Sequence, residues 1–401
     1  MKLWYTPISS YVKTFGAPSR YIQGPGVLGE YMGKILKELK IRKPLVFGGT
    51  RALGSVEKHG LFKSLEAEGI DYVKEYFGRT PCGPESCDEE INRLIEIARA
   101  NSCDAVIGVG GGKAIDTAKD SAYKLGVPVI IVPTVASTDA PCSAVAVIYT
   151  CNHVFKEYRF YPKNPDAVIV DTKVITESPP RLLTCGIGDA MGKYTEVPSA
   201  VRVGANNLLV KPILGKPTLL SIAAQQLMVD ILFTYGEQAI ESVEKMVVTP
   251  ALEAVVEATT LLSQVAFECG GLAGAHSIYN GFTVLEPKYH ARGREFPYHG
   301  ELVFFGVLAE MVMDGYPREE IVRIMEFGHR VGLPITLEEL GFGDIDDSDL
   351  MEVAKRATAP GETIHNKPYK VTPEHVFNAI KVANEIGLKV ASYIPLRKFK
   401  R

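Results

Sequence analysis

The stretch Asp104–Tyr149, DAVIGVGGGKAIDTAKDSAYKLGVPVIIVPTVASTDAPCSAVAVIY, decides the fold. Its short apolar run Ala105–Val109 is bounded by turn-forming residues and reads as a buried strand. Gly110, Gly111 and Gly112 follow, then Lys113, where a helix pattern begins and runs to about Lys124. A strand that ends in glycines and turns into a helix leaves backbone N–H groups at the positive end of the helix dipole, a setting that suits a pyrophosphate. Any Cβ there would hold a phosphate away from the backbone. Gly-Gly-Gly-Lys fits neither the G-x-G-x-x-G nor the G-x-x-x-x-G-K-[ST] spacing, so on these residues alone a plain strand–helix turn stays open. A second buried strand, Val129–Val132, closes at Pro133 and is followed by the polar loop Thr134–Cys142. In open parallel sheets the ligand crevice lies at the carboxyl ends of the strands, which is where both loops fall.

The segments GGGKAIDTAK, PTVASTDAPCSAVAVIY and the later AGAHSIYNGF together resemble the glycerol dehydrogenases. These belong to the metal-dependent, iron-containing type of alcohol dehydrogenase, whose fold is related to dehydroquinate synthase. The resemblance runs from about Gly24 into the C-terminal region, with its motifs in the same order.

A chain of 401 residues is long enough for two domains and a substantial core. A net charge of −3 gives no sign of nucleic acid or an anionic membrane as a partner. The basic end Arg397–Arg401 reads as a short, frayed tail. Seven cysteines without C-x-x-C pairs fit free thiols in a reducing compartment. The start, Met1–Tyr5, lacks a signal-peptide pattern, and no apolar run approaches the length needed to cross a bilayer, so a cytoplasmic protein is expected.

Up to about residue 180, helix and strand patterns alternate. Val27 to Leu39 has helical spacing; Pro44–Phe47 reads as a strand ending in Gly48 and Gly49. Ser86 with Glu89 suggests a capping box ahead of Ile91, Leu94 and Ile95. Ser143–Tyr149 and Val154–Phe160 suggest a hairpin, and Ala167–Val170 a last strand. Beyond Pro179-Pro180, helix-period runs dominate. The expected architecture is an α/β domain over residues 1–180, with a mostly parallel, Rossmann-like sheet, and an all-α domain over 181–401. With the resemblance, the whole is dehydroquinate synthase-like, the second domain carrying metal and substrate.

Read alone, Asp189 at the apparent start of a helix would be an N-cap, and His276 in its small, apolar surroundings a core histidine. The resemblance implies instead that Asp189, His276 and His299 bind a catalytic metal. One carboxylate and two neutral imidazoles hold a divalent ion and leave positions open for substrate. The set suits Zn2+ and also Fe2+; zinc is expected because glycerol dehydrogenases typically use it. Tyr279 stands where the family often has a further histidine, and the segment up to His299 is longer than usual, so His290 is a rival ligand. Arg292 and Arg294 in that segment could reach the site and favour an anionic substrate.

The resemblance further places Gly110, Gly111, Gly112, Lys113, Asp116, Thr134 and Ser137 along a dinucleotide, with Ser143, Val145 and Tyr149 on its nicotinamide side. Asp139 matches a substrate-contacting aspartate and joins the metal ligands as a catalytic candidate. NAD-specific members carry an acid after an early strand; here Gly48, Gly49, Thr50 and Arg51 hold none, which favours NADP over NAD. The implied activity is NAD(P)-linked oxidation of a polyol, glycerol to dihydroxyacetone, and its reverse, by a homo-oligomer acting on a small molecule. The alternative is glycerol-1-phosphate dehydrogenase or another carbonyl reductase of the superfamily. A dehydroquinate synthase-type lyase lacks its basic cluster here, and a non-catalytic nucleotide sensor would not need all of Asp139, Asp189, His276 and His299. His365 is a weak candidate for moving the proton.

Overall fold

The computed structural model describes residues 12–209 and 215–399; Met1–Tyr5 and the last two residues of the basic tail lie outside the described residues. The chain divides into two compact units, with a cut between Pro179 and Pro180. A single cut is not enough, however. Glu241–Gln264 clusters with the sheet unit, and the described residues before Gly16 with the helical one.

The sheet unit holds β1 (Tyr21–Gly24), β2 (Pro44–Gly48), β3 (Val73–Tyr76), β4 (Ala105–Gly110), β5 (Val129–Pro133) and β8 (Ala167–Asp171) in one parallel sheet, ordered β1-β8-β5-β4-β2-β3. β2, β4, β5 and β8 are buried at every residue, as apolar runs covered on both faces must be. Around the sheet lie α1 (Val27–Glu38), α2 (Thr50–Lys58), α3 (Leu61–Ala67), α4 (Asp88–Ala100), α5 (Gly112–Leu125) and α6 (Thr172–Thr176). Leu28, Met32 and Leu36 of α1 share a core with Val46, Ile107, Ile130 and Ile169 of the strands. β6 (Val145–Tyr149) and β7 (Phe155–Phe160) pair antiparallel as a separate ribbon.

Ser86 does not cap α4. The N-cap is Cys87, because backbone pairing of Tyr149 with Ser86 and Cys87 delays the helix by one residue, and the Ser86 hydroxyl is buried without a partner. The expectation of free thiols also fails at one pair. The β6–β7 turn brings Cys151 to within 4.4 Å (Cα–Cα) of Cys82, and the two are joined as a disulfide; Cys87, Cys103, Cys142, Cys185 and Cys269 are not disulfide-bonded.

The helical unit contains α7 (Pro180–Arg202), most of α8 (Leu219–Glu244), and, after α9 (Pro250–Glu257), most of α10 (Ser263–Gly270), then α11 (Gly274–Phe282), α12 (Glu286–Ala291), α13 (His299–Met313), α14 (Arg318–Val331), α15 (Asp347–Ala357) and α16 (Pro373–Ala391). Between α9 and α10, Ala258–Leu262 forms a π-helical turn within the sheet unit. Contrary to the sequence reading, α8 is long and apolar enough by length and composition to cross a membrane; 44% of that stretch is buried within the structure. The basic tail is not frayed as far as residue 399: the Arg397 N–H donates to the His329 carbonyl at 3.0 Å, and Phe399 is half-buried.

α7 and α13 cross at two glycines. A Cβ on Gly188 would lie 2.3 Å from the Gly300 carbonyl oxygen, and one on Gly300 would lie 1.8 Å from that of Cys185. Gly300→Ala therefore forces the helices apart and should cost about 1–3 kcal/mol, the usual range for overpacking. Gly54→Ala, in α2 with nothing within 4 Å of the new methyl, should be neutral or stabilising. Urea midpoints of the two variants check this pair.

Candidate active site

In the sheet unit the glycine turn closes β4 and opens α5. Gly110 has φ +147°, a conformation side chains rarely adopt, and Gly108 must be glycine because its Cβ would meet that of Ala118 at 2.4 Å. A Cβ on Gly112 would meet nothing within 4 Å, so the first turn of α5 presents bare backbone to open space. That cradle fits a pyrophosphate. The Thr134 N–H donates to the Gly110 carbonyl at 3.0 Å, which brings the loop after β5 beside the turn; Thr134 and Ser137 are half-buried there.

The remaining cofactor candidates are placed less directly. The Lys113 ammonium pairs with the buried Glu85 carboxylate at 2.6 Å. Asp116 is buried, accepts from the Val147 N–H at 3.0 Å and pairs with Lys119, so it holds β6 rather than facing the turn. The buried Ser143 hydroxyl bonds to the Ala140 carbonyl, while Val145 and Tyr149 are half-buried on β6. Gly48 is required by the sheet, since its Cβ would sit 2.3 Å from the Val109 carbonyl oxygen. Gly49 is the N-cap of α2, and Thr50 and Arg51 are exposed in its first turn. Asp139 is buried, and its Oδ2 accepts from the Ser263 hydroxyl at 2.9 Å.

In the helical unit Asp189 lies within α7 rather than at its start, so it is not an N-cap. His276 is in the first turn of α11, and His299 opens α13. Their donor atoms all lie within 4.8 Å of one another. Asp189 Oδ1 is the common point, 3.3 Å from His276 Nε2, 3.4 Å from His299 Nε2 and 2.7 Å from the buried Lys193 ammonium. Burial opposes its charge, yet Lys193 and the two imidazoles hold the Asp189 carboxyl well below its ordinary range. Tyr279 packs edge-on against His299, with ring centroids 4.3 Å apart.

Two buried acids that sequence reading missed fix this geometry. Glu196 Oε2 lies 2.6 Å from His276 Nδ1, and its Oε1 accepts the His276 and Ala273 N–H groups. Glu310 accepts the N–H groups of Gly274 and Ala275 and is paired with Lys367. Burial of His276 opposes its charge, but Glu196 and Asp189 raise its pKa to about 9. A position where an imidazole is kept cationic by two carboxylates equally favours a metal cation in the proton's place. With Nδ1 donating to Glu196, Nε2 is left as a ligand lone pair, the usual outer-shell arrangement. The donor set thus fits a divalent ion. Glu196 is seven residues after Asp189 on the same helix, a spacing that could have flagged it.

Other candidates do not join. His290 is exposed and pairs with Glu286 at 3.3 Å, and Arg292 and Arg294 both pair with Asp344. His365 is exposed beside the Thr358 carbonyl. Replacing Glu196 by Gln should weaken retention of a divalent metal by about 10- to 100-fold, the range for outer-shell partners. Chelator titration of the metal-loaded variant measures it; unchanged retention would remove Glu196 from the site.

Known proteins resemble this chain over most of its length. Residues 18–172 match the family model described as iron-containing alcohol dehydrogenase. The chain is 41% identical to the glycerol dehydrogenase of Citrobacter freundii, over 94% of this chain and 98% of that protein. It is 44% identical to that of Escherichia coli, over 92% and 96%. The crystal structure of glycerol dehydrogenase from Schizosaccharomyces pombe superposes with a TM-score of 0.88 at 33% identity, covering 98% of this chain and 95% of that one. With a parallel sheet unit, a helical unit and full-length relatives at this identity, the chain belongs to the iron-containing alcohol dehydrogenase family.

Proposed function

We propose that the protein is a metal-dependent, NAD(P)-linked polyol dehydrogenase that interconverts glycerol and dihydroxyacetone. The observation that carries this is the convergence of Asp189, His276 and His299 on one point, backed by Glu196. The activity named for the full-length relatives supports the choice of substrate.

Asp189, His276 and His299 would hold the divalent ion, and Glu196 would keep the His276 tautomer and ring angle fixed. When bound, the ion would supply Lewis acidity to the substrate hydroxyl and the nicotinamide would supply the hydride acceptor. Asp139, held by Ser263, would accept a hydrogen bond from a neighbouring substrate hydroxyl and fix which carbon reacts. The Gly110–Gly112 turn would take the pyrophosphate on its N–H groups. Zinc is the metal we assign, on the resemblance of this ligand set to that of glycerol dehydrogenases; NADP is the preferred dinucleotide, with NAD also accepted. The chemistry behind the second choice is the exposed Arg51 at the start of α2, with no acid between Gly48 and Val56 to repel a 2′-phosphate. The reading carries with it a homo-oligomer in the cytoplasm. Arg292 and Arg294, the residues that favoured a phosphorylated substrate, are committed to Asp344, which weakens the glycerol-1-phosphate alternative.

The zinc-loaded enzyme should reduce dihydroxyacetone, lose the rate to chelator, and run faster with NADPH than with NADH. A faster rate with NADH sinks the NADP assignment, and a rate only with dihydroxyacetone phosphate sinks the substrate. Asp139→Asn should lower kcat/KM for glycerol by about 10- to 100-fold, the loss expected for a hydrogen bond to a charged group. Arg51→Ala should raise the KM for NADPH and leave that for NADH unchanged, read from initial rates with each cofactor.

A further inference from the structure

Three cysteines and a carboxylate converge at a second place, wholly within the sheet unit. Cys82, Cys87 and Glu89 come from the loop before α4 and its first turn, and Cys151 from the turn between β6 and β7. One donor atom from each lies within 4.8 Å of all the others. Cys82 and Cys87 are buried, Cys151 half-buried and Glu89 exposed. The Cys82–Cys151 disulfide uses only two of these four donors and does not account for Cys87 and Glu89 facing the same point. Cys87 is the N-cap of the 13-residue α4, and burial together with the Glu89 carboxylate pushes its thiol up, so that it keeps its proton until a cation displaces it.

We propose that, with the disulfide reduced, Cys82, Cys87, Cys151 and Glu89 bind a soft divalent cation such as Zn2+, at a site separate from Asp189, His276 and His299. Three sulfurs and one oxygen are a closed tetrahedral donor set. Zinc–sulfur bonds of about 2.3 Å put the sulfurs roughly 3.8 Å apart, inside the 4.8 Å that spans the donors of this cluster. Reduction takes two small-molecule thiols, which leave as one disulfide while the Cys82–Cys151 bond becomes two thiols. Binding then exchanges the three thiol protons for the cation. Oxidation of Cys82 and Cys151 reverses this and expels the metal, so disulfide and metal exclude each other.

The site would brace the dinucleotide-binding side of the unit. Between Cys82 and Cys87 lies Glu85, fully buried, whose carboxylate holds Lys113 of the glycine turn at 2.6 Å and His153 of the β6–β7 turn at 2.7 Å. The Tyr149 N–H donates to the Ser86 carbonyl at 2.8 Å. A cation bridging the loop and the turn closes the ring around this pair of contacts.

Cobalt tests the proposal on the full chain, because a thiolate–cobalt charge-transfer band arises only where sulfur ligates, and the Asp189 cluster has none. Protein reduced and stripped with chelator should bind two Co2+ per chain and show that band. Cys151→Ser should bind one and lose it, as should wild-type protein reoxidised before cobalt is added. No band in reduced wild-type protein, with all seven thiols titrating in denaturant, overturns the proposal. So does a band that survives in both Cys151→Ser and Cys87→Ser.

Discussion

Two helices approach so closely that only glycine fits between them, and the metal-type cluster depends on that crossing. Gly188 precedes Asp189 and Gly300 follows His299, and each glycine faces backbone of the opposite helix. Glycine at both crossing points lets the α7 and α13 backbones touch, which goes with the Asp189 carboxylate on one lying 3.4 Å from the His299 imidazole on the other. Gly192 repeats the device one turn later, where a Cβ would lie 2.9 Å from the His276 ring. A larger residue at any of the three would push against the backbone or the ring beside a donor.

Electrostatics sets the third donor. The start of α11 has backbone N–H groups that need acceptors away from water, and Glu196 and Glu310 supply them from the neighbouring helices α7 and α13. Both acids are fully buried, an expensive state unless the charge is partnered. Lys367 takes that part for Glu310, and His276 for Glu196. Burial pushes the Glu310 carboxyl up, whereas Glu196 is held below its ordinary range by His276 despite burial. The histidine thus sits in a frame whose charges are fixed before any ligand arrives.

Much of this was legible in the chain. The strands buried on both faces announced themselves as apolar runs, whereas the edge strands β1 and β3, four residues each and half-exposed at three and at four of them, carried too little pattern. The cap at Ser86 was misread because long-range pairing with Tyr149, invisible to local spacing, sets where α4 begins. Asp189 looked like a helix start because the glycines around it mimic a turn, although they serve helix packing. Glu310 was overlooked because a buried acid has no sequence signature apart from its partners, and Glu196 had only its seven-residue spacing from Asp189 to give it away. The Cys82–Cys151 contact likewise needed the hairpin to bring together residues 69 apart.

The π-helical turn at Ala258–Leu262 accommodates one residue more than an α-helix would in the same rise. Thr259 and Thr260 turn their hydroxyls back onto the carbonyls of Val255 and Val256 there, which supplies partners where the regular ladder is broken. Immediately after it comes Ser263, the residue that holds Asp139. Losing a single amino acid from this turn would restore a regular helix and leave Ser263 at the same rise and on the same face, whereas losing one from the regular α-helical stretch before it would rotate Ser263 by about 100° around the axis. The turn is therefore a place where this helix can lose a residue and keep Ser263 aimed at Asp139.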